Sequence, residues 1–590
     1  MGNCLIFNSP TDVSKKSKAL PIETTFKLPS PLPTWPPGAY LFPLLLMLMM
    51  NLILQYIYIL VYTYTLIIKY IYINIGEGFG TGTIDVGGLQ VSQISSFTKV
   101  WGTHEGGPDN LGATFYEPSS IPQGFFMLGC YAQPNNRPLF GWVLVGKDDT
   151  GSLNKPIDYT LVWSSESLNI KQDGIGYVWL PTPPDGYKAL GHVITNSPQK
   201  PSLDNFRCVR SDLTDQCQTD TWIWGPAGTY GFNIFGLRPS NRGTQAMGVS
   251  VGTFVGQTHN ENNPGPVACL KNINFSKYSC MPNPRQIEAL LQTYSPFVYF
   301  HPDEAYLPSS VSWFFNNGAL LYKKGEESKA VAIESMGTNL PQGGSNDGAY
   351  WLDLPADNKA KDRVKKGDLQ NSQLVNIHIK PMLGATFTDI AIWIFYPFNG
   401  PARAKVEFIN IPLGRIGEHV GDWEHVTLRV SNFNGELWSV YLSQHSSGNW
   451  VNASDLEFQA GNKVVTYASL HGHAMYAKPG LVLQGNGAIG IRNDTAKSKM
   501  FLDTGLSFSL VAAEYLGSAI TEPPWLNYFR EWGPKISYDI ADEIKKVEKL
   551  LPGKLKSAFD KFVKGLPNEV LGQEGPTGPK DKRNWSGDEI

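Results

Sequence analysis

Three copies of one pattern between Phe97 and Val255 constrain the fold of this 590-residue chain more than any other feature. Each copy has an apolar residue followed by tryptophan, then an aromatic strand with a proline, then a G-x-x-x-x-G run with an apolar residue before the second glycine. The landmarks are Trp101 and Gly124, Trp163 and Gly186, and Trp224 and Gly243. One such unit is a small sheet that cannot bury its own face. The pattern therefore predicts a threefold β-prism over residues 76–260, with the tryptophans in its core.

The remaining chain is too long to share one core, so further domains are expected. Residues 285–517 are rich in strand patterns and predict a β-sandwich-like domain. Residues 518–566 carry apolar residues at helical spacing, with lysines around them, and predict helices that dock on the β domain or lie on a membrane surface. Residues 567–590 are polar and predict a disordered tail. The predicted fold class is thus mainly β, with helices at the C-terminal end.

A nine-residue stretch, Gly417–His425, carries ionisable residues in an H-x-x-D-x-E spacing. The following residues alternate like a half-buried strand, which places Asp422 and Glu424 on the same face as the apolar residues Val426 and Leu428. Burying two carboxylates without partners costs several kcal/mol each. A divalent cation bound by these carboxylates and His419 removes that cost. The alternative is that hydrogen bonds of the strand and its turn satisfy them.

Five of the ten histidines lie between His419 and His473. They fall at the ends of predicted strands, which neighbouring strands can bring together, although each alone is explained equally well as a core histidine. The metal ligands we predict are His419, Asp422, Glu424 and His473. We expect Mg²⁺ or Ca²⁺ rather than Zn²⁺, and no residue is assigned a catalytic role. The rival interpretation is a metal-dependent hydrolase in which Glu424 is the general base and His419 and His473 are ligands.

The first residues indicate lipidation. Gly2 is placed for myristoylation and Cys4 for palmitoylation, with lysines downstream that attract anionic lipid. Two such anchors hold a protein on a membrane where one is marginal. Ile6, however, stands where serine or threonine is usual. The alternative for residues 1–38 is an ordinary disordered start.

An apolar segment, Ala39–Ile75, follows. It has no charge between Leu41 and Ile68, which is long enough to span a bilayer, and the lysines before it would leave the N-terminus in the cytosol. Its second half is nearly all Ile, Tyr, Leu, Thr and Asn, the residues of A/T-rich codons. We therefore favour a retained intron in the gene model over a single membrane span.

The composition excludes some classes of function. A net charge of −3 gives no support for binding nucleic acid. Six cysteines are too few for a disulfide framework, and Cys208 with Cys217, or Cys269 with Cys280, either pair or stay free thiols. We expect a cytoplasmic protein that is peripheral on an endomembrane or the plasma membrane, or a single-pass protein if Ala39–Ile75 is expressed. The oligomeric state stays open.

Five segments carry a family resemblance: Met1–Cys4, Phe26–Gly38, Phe97–Gly102, Tyr299–Glu304 and Gly421–His425. Together they resemble the plant branch of the vacuolar protein sorting-associated protein 62 family. The resemblance covers nearly everything except Ala39–Ile75. It implies a link to vacuolar protein sorting.

Two distant resemblances add chemistry. The threefold repeat is similar to the multivesicular-body-associated β-prism, which implies binding to acidic membranes. The Gly417–His425 stretch is similar to the G-H-R-H-D-W-E heptad of necrosis-inducing plant cytolysins, which implies a divalent-metal site in a β-sandwich. His419, Asp422 and Glu424 match that heptad, Gly421 replaces its second histidine, and Asn399 is the nearest candidate for an upstream ligand.

These observations favour a non-enzymatic, membrane-peripheral protein. Its expected partners are an acidic membrane surface or trafficking proteins. The alternatives are the metal-dependent hydrolase and a cytolysin-like binder of lipid or sugar headgroups. Accessibility separates them in part, because a structural metal site is closed whereas an enzyme leaves a coordination position open to a pocket.

Overall fold

The structure is a computed structural model that describes residues 19–38, 75–148, 150–225, 231–258, 263–274, 277–370, 373–445, 447–486, 489–535, 538–564 and 576–589. The predicted lipidation residues Gly2 and Cys4, and nearly all of the apolar segment, lie outside them. The described chain is mainly β, as the sequence predicts.

The N-terminal half is built from three copies of a six-stranded unit. In each unit the second, third and fifth strands form one antiparallel sheet, and the first, sixth and fourth form another, with one extra edge strand in the first unit. The first unit comprises β1 (Thr83–Asp85), β2 (Leu89–Ile94), β3 (Phe97–Gly102), β4 (Ala113–Pro118), β5 (Phe126–Met127), β6 (Tyr131–Pro134) and β7 (Val143–Asp148). The second comprises β8 (Leu153–Asn154), β9 (Asp158–Ser164), β10 (Tyr177–Thr182), β11 (Tyr187–Lys188), β12 (Val193–Thr195) and β13 (Cys208–Arg210). The third comprises β14 (Thr214–Asp215), β15 (Cys217–Trp224), β16 (Asn233–Pro239), β17 (Gly248–Val249), β18 (Phe254–Gln257) and β19 (Cys269–Lys271).

The three repeated tryptophans meet at the centre of this half. The rings of Trp101 and Trp224 are 5.7 Å apart, and the ring of Trp163 lies 6.0 Å from the first and 5.6 Å from the second. Trp101 and Trp224 are fully buried. Each unit therefore contributes one aromatic side chain to a shared core, which confirms the threefold β-prism prediction.

The second half begins with α1 (Pro284–Tyr294), whose N-terminus is closed by a capping box between Asn283 and Gln286. Its central sheet has six strands: β24 (Val375–Met382), β25 (Phe387–Asn399), β28 (His419–Ser431), β29 (Leu437–Gln444), β30 (Ser447–Asn452) and β37 (Phe508–Ala512). Their order across the sheet is β30-β29-β28-β25-β24-β37. The long β25 and β28 pair along their whole length, so Tyr396 stands opposite Asp422.

Smaller sheets and helices surround the central sheet. They contain β20 (Phe297–Tyr299), β21 (Leu320–Lys323), β22 (Val331–Ala332), β23 (Tyr350–Asp353), β26 (Arg403–Val406), β27 (Ile409–Pro412), β31 (Glu457–Gln459), β32 (Lys463–Ala468), β33 (Met475–Tyr476), β34 (Gly480–Asn486), β35 (Ile489–Thr495) and β36 (Phe501–Asp503). The helices are α2 (Val311–Asn316), α3 (Asn358–Lys365), α4 (Ile540–Leu550) and α5 (Gly553–Lys564).

The two halves share one hydrophobic core. Phe140 of the prism stacks on Trp438 of the central sheet with ring centroids 4.3 Å apart, and Trp142 lies 5.3 Å from Phe387. Buried apolar residues continue from β2 through α1 to β28 without a break. The predicted domain limits near residues 260 and 285 therefore stay a prediction.

The C-terminal helices dock on the sheet β27-β26-β35-β34. Val547, Leu551, Leu555 and Phe559 are buried against Val406 and Ile491 of that sheet. This arrangement agrees with the docked alternative rather than the membrane-surface one. Within the described ranges, no helix is long and apolar enough to cross a membrane.

The prediction of a disordered tail is wrong for residues 576–589. This segment, called here the C-terminal strap, lies across the central sheet. Trp585 is buried and stacks on His378 at 3.9 Å, and Glu589 is also buried. The strap is held by one aromatic side chain and its last charged residues, which find partners on strands far away in the sequence. Residues 567–575 lie outside the described ranges.

The two ends of the apolar segment lie side by side. A Cβ placed on Gly38 would be 2.4 Å from the backbone nitrogen of Glu77. Gln286 of α1 donates to the carbonyl oxygens of both Pro36 and Gly76, at 2.8 and 3.0 Å. The residues that precede and follow the apolar segment are therefore neighbours in the fold. Ile75, at the end of that segment, is buried in the shared core.

Candidate functional site

Strand β28 carries the predicted site. Val426, Leu428 and Val430 are fully buried in the shared core, which agrees with their predicted common face. The other face, with Trp423, His425 and Thr427, is buried as well, so the prediction of a half-buried strand is wrong. Asp422 and Glu424 belong to the same face of the strand as Val426. At this end the core gives way to a pocket, so the two carboxylates line it instead of packing among apolar side chains.

The pocket lies between β28, the sheet containing β26 and β35, and the loops around residues 400 and 471. It holds about 530 Å³ of empty space, including its open mouth. Its polar lining side chains are Asn399, Arg403, His419, Asp422, Glu424, His445, Arg492 and Asn493. Three of the four predicted ligands therefore line one cavity.

The fourth predicted ligand, His473, lies fully buried behind Asp422. Its Nδ1 is 2.9 Å from Asp422 Oδ2, its Nε2 is 2.9 Å from the carbonyl oxygen of Tyr306, and its ring stacks on Tyr396 at 3.8 Å. A carbonyl oxygen only accepts, so Nε2 donates, and both ring nitrogens are engaged within the protein. His473 is thus placed to orient Asp422 rather than to reach the pocket.

The surroundings favour an ionised Asp422. Burial alone would raise the pKa of this carboxyl, but the hydrogen bond from His473 and attraction to the His419 and His473 rings lower it below its usual range. Beside it, burial and then the charges of Asp422 and Glu424 raise the pKa of Tyr396 far above normal. A neutral phenol therefore lies between charged groups.

Glu424 is positioned by Ser443 of the neighbouring strand β29. The Ser443 hydroxyl donates to the carboxylate of Glu424 and accepts from the backbone N–H of His425 at 2.9 Å. Glu424 thus has a fixed orientation on the pocket wall. No sequence pattern connects Ser443 to this residue.

His419 begins the strand and is half-buried, with Nδ1 3.1 Å from the carbonyl oxygen of Gly421. Gly421 has φ +68°, and a Cβ there would lie 2.4 Å from the carbonyl oxygen of Trp532. A side chain therefore does not fit at this position, and the turn into the strand requires glycine. Asn399 pairs opposite His419 and donates to the Gly417 carbonyl oxygen at 2.7 Å, so it fixes the turn that precedes His419.

Three histidines around the pocket have left-handed backbone conformations. They are His445, His471 and His473, with φ of 59°, 70° and 56°. Non-glycine residues adopt such conformations at a cost, and they concentrate at functional sites. Glu304 holds part of this loop by accepting the N–H of His471 at 2.7 Å. The sequence suggested a histidine cluster but gave no indication of this backbone geometry.

The donor set has the chemistry of a hard-cation site. Carboxylate and amide oxygens with one imidazole are ligands that Mg²⁺ or Ca²⁺ accepts. In the part of the chain that the structure describes, no three His, Cys, Asp or Glu side chains are already arranged to hold a metal ion. Cation binding at this site therefore stays a prediction.

A family model for vacuolar protein sorting-associated protein 62 matches residues 62–589. The chain belongs to this family. Membership of the vacuolar protein sorting-associated protein 62 family relates it to vacuolar sorting. The match begins within the apolar segment, at residue 62. No curated protein matches the chain.

Solved structures show weaker likenesses. GNIP1Aa from Chromobacterium piscinae is 21% identical over 35% of this chain and 40% of its own length, with a TM-score of 0.27. NLPPya in complex with glucosamine is 12% identical over 37% of this chain and 76% of its own, with a TM-score of 0.18. A toxin fold described as a basis for microbial attack and plant defence is 14% identical over 38% and 80%, with a TM-score of 0.19. These TM-scores are too low to support an argument about activity.

Proposed function

We propose that this member of the vacuolar protein sorting-associated protein 62 family is a non-enzymatic, membrane-peripheral protein that binds a divalent cation in the β28 pocket. The observation that carries the proposal is that Asp422 and Glu424, on the same side of β28, both line one open pocket. We assign His419 as the third ligand, and His473 orients Asp422. Mg²⁺ or Ca²⁺ suits this donor set better than Zn²⁺ because oxygen ligands dominate it.

The openness of the pocket supports a ligand-binding role rather than a purely structural cation. A cation held at the pocket wall keeps coordination positions that an anionic or hydroxyl-bearing group can fill. The headgroups of an acidic membrane surface carry such groups, and so do trafficking proteins with exposed carboxylates. We favour the membrane surface, because the multivesicular-body-associated β-prism to which the repeat is similar implies it.

A metal-dependent hydrolase is the second candidate, because an open pocket also suits catalysis. That mechanism needs His473 as a ligand and Glu424 as a general base. Both ring nitrogens of His473 already have partners within the protein, which weighs against His473 as a metal ligand. The hydrogen bond from Ser443 holds the Glu424 carboxylate in place, which weighs against Glu424 as a general base. Hydrolysis of a panel of ester and phosphoester substrates that depends on both added metal and Glu424 would favour the hydrolase.

The cation proposal is tested by titrating the purified full chain with Ca²⁺ and Mg²⁺ in a calorimeter after treatment with a chelator. We expect one saturable site, lost in the variant Asp422→Asn with Glu424→Gln. A matched control removes two exposed, lysine-paired carboxylates from the prism, Asp158→Asn with Asp204→Asn, and should titrate like the parent. Equal binding by both double variants would reject the pocket as the site.

The membrane proposal is tested with vesicles of phosphatidylserine and phosphatidylcholine. We expect cation-dependent flotation with the phosphatidylserine vesicles, lost in the pocket variant. Binding that depends on added sugar headgroup instead of anionic lipid would support the cytolysin-like alternative.

Lipidation is a separate anchor in this proposal. We expect Gly2→Ala or Cys4→Ser to release much of the protein from cell membranes, because one acyl chain alone is marginal. The comparison should use the chain without residues 39–74, which keeps the buried Ile75, so that no apolar segment masks the effect. Unchanged fractionation of both variants would reject lipidation.

A further inference from the structure

Two cysteines of the third prism unit lie against each other. Cys217 begins β15, and Cys269 begins β19. Asp215, two residues before Cys217, is the register partner of Cys269. The Cys217 Sγ is 3.3 Å from the carbonyl oxygen of Val267, two residues before Cys269. Cys217 and Cys269 are thus diagonal neighbours across antiparallel chain segments, close enough for their thiols to affect each other electrostatically.

The remaining described cysteines differ from this pair. Cys130, Cys208 and Cys280 are buried free thiols, whereas Cys217 is partly exposed. The pairings that the sequence left open, Cys208 with Cys217 and Cys269 with Cys280, are not those that the fold brings together.

We propose that Cys217 and Cys269 form a redox-active dithiol that closes to an intramolecular disulfide. Cys217 is partly exposed, whereas Cys269 is buried beneath it. An oxidant from solvent therefore reaches Cys217 first, and Cys269 is in place to complete the bond.

The electronic environment supports this order. The hydrogen bond from Cys269 lowers the pKa of the Cys217 thiol, despite its burial. The same hydrogen bond, and then burial, raise the pKa of Cys269 well above its usual value. Cys217 is therefore the better thiolate, and thiolates are the nucleophiles in cysteine oxidation.

The oxidant is a hydroperoxide. The Cys217 thiolate attacks one oxygen of hydrogen peroxide, the O–O bond breaks, and Cys217 becomes a sulfenic acid while hydroxide leaves. The Cys269 sulfur then attacks the Cys217 sulfur, the S–O bond breaks, and the Cys269 proton leaves with the hydroxyl as water. Two thiols lose one electron each, and one peroxide is reduced to two waters.

The bond would close a loop from Cys217 to Cys269 that contains β15, β16, β17 and β18. This loop carries Trp224 of the prism core and Arg242, which binds Asp588 of the C-terminal strap at 2.7 Å. Closure restricts the unfolded chain, so oxidation should raise the melting temperature and dithiothreitol should reverse the rise.

The test is thiol mapping of the folded full chain after mild treatment with hydrogen peroxide. Free thiols are alkylated after denaturation without reductant, and the peptides are identified by mass spectrometry. We expect one linked pair of peptides containing Cys217 and Cys269. The peptides of Cys130, Cys208 and Cys280 should stay fully alkylated and act as internal controls. Burial raises the pKa of the Cys208 and Cys280 thiols to about 12, which protects them.

Two variants define the order of the steps. Cys269→Ser should leave Cys217 as a sulfenic acid that dimedone traps, and Cys217→Ser should leave Cys269 alkylated. If either variant fails to fold, thiol mapping of the parent chain still tests whether the disulfide forms. Full alkylation of both cysteines after peroxide, or a disulfide from Cys217 to any other cysteine, would overturn the proposal.

Discussion

The two faces of strand β28 place ionisable residues in opposite situations. On one face, at the start of the strand, Asp422 and Glu424 line an open pocket. On the other, His425, Thr427 and Arg429 are covered by the C-terminal strap. Because neighbouring residues of one strand serve both faces, the difference comes from what covers each face rather than from the strand itself.

The covered face is closed by charges of the chain itself. Glu589 lies 3.1 Å from His425, 2.7 Å from Thr427 and 3.5 Å from Lys380. Arg429 binds Asp389 through two hydrogen bonds of 2.8 Å and Asp588 through one of 2.6 Å. Three cations, Lys380, Arg429 and Arg242, thus face three carboxylates, Asp389, Asp588 and Glu589. This network needs no external ion, whereas Asp422 and Glu424 on the other face border a cavity.

The largest effect should follow removal of one partner from the covered network. We expect Glu589→Ala to lower the free energy of unfolding by about 3–5 kcal/mol, because Lys380 stays buried without its carboxylate. Asp204→Ala breaks an exposed, solvent-screened ion pair with Lys155 and should change the free energy of unfolding far less. Urea unfolding measures both. A similar small loss for the two variants would show that the strap does not close this face.

The same network should make the protein sensitive to acid. Burial alone would raise the pKa of Glu589, but attraction to His425 and Lys380 holds it well below its usual range. Because this pKa is lower in the folded than in the unfolded chain, its stabilisation is complete above the unfolded value of about 4.5 and is lost as the pH falls below it.

Glu589→Gln, which cannot ionise, should show a smaller loss of melting temperature between pH 5 and about pH 2–3 than the parent. Asp588 and Asp422, whose pKa values are also lowered, would supply the remaining acid sensitivity. If the melting temperatures of parent and variant fell equally over this pH range, Glu589 would not contribute to the acid sensitivity.

A smaller effect should come from Thr427→Val, which keeps the shape of the side chain. Its hydroxyl donates one of the hydrogen bonds to buried Glu589, so we expect a loss of about 1–3 kcal/mol. Thr81→Val is the control: its hydroxyl donates to nearby backbone carbonyl oxygens at an exposed position, where water replaces the lost bond, so its effect should be smaller. If Thr427→Val were neutral, water would have to satisfy Glu589.

Sequence alone could predict the pocket face better than the covered face. Alternation after His419 correctly places Asp422 and Glu424 with the core residues of β28, because a two-residue period is a local property. The covered face depends on Asp588 and Glu589, which lie 159 to 164 positions from their partners on β28 in a short polar stretch with no period. Trp585 was the one apolar residue that could have indicated docking.

The prism shows the same distinction. Its repeated tryptophans predict a common core because each copy supplies the same landmark. The contact between Cys217 and Cys269 has no counterpart in the sequence pattern, since it depends on strand register within the third unit. Likewise, the orienting role of His473 depends on a left-handed loop conformation that histidine rarely adopts.

The smallest change in stability should come from deleting the apolar segment, which lies outside β28 in the sequence. Deleting residues 39–74 and keeping the buried Ile75 should change the free energy of unfolding by less than about 1 kcal/mol, because Gly38 and Glu77 already lie together. The full-length transcript should also lack the corresponding bases. Aggregation of the shortened chain, while the full chain is extracted only with detergent, would favour a membrane span.

Thermal melting with and without Ca²⁺ tests the central claim about β28 most directly. After chelator treatment, Ca²⁺ at 100 times its dissociation constant should stabilise the parent by about 2.7 kcal/mol and raise its melting temperature. Thr427→Val, on the covered face, should show the same rise from a lower starting point. The variant Asp422→Asn with Glu424→Gln should show none. An equal rise in that double variant, or no rise in the parent, would contradict the assignment of the pocket face to a cation.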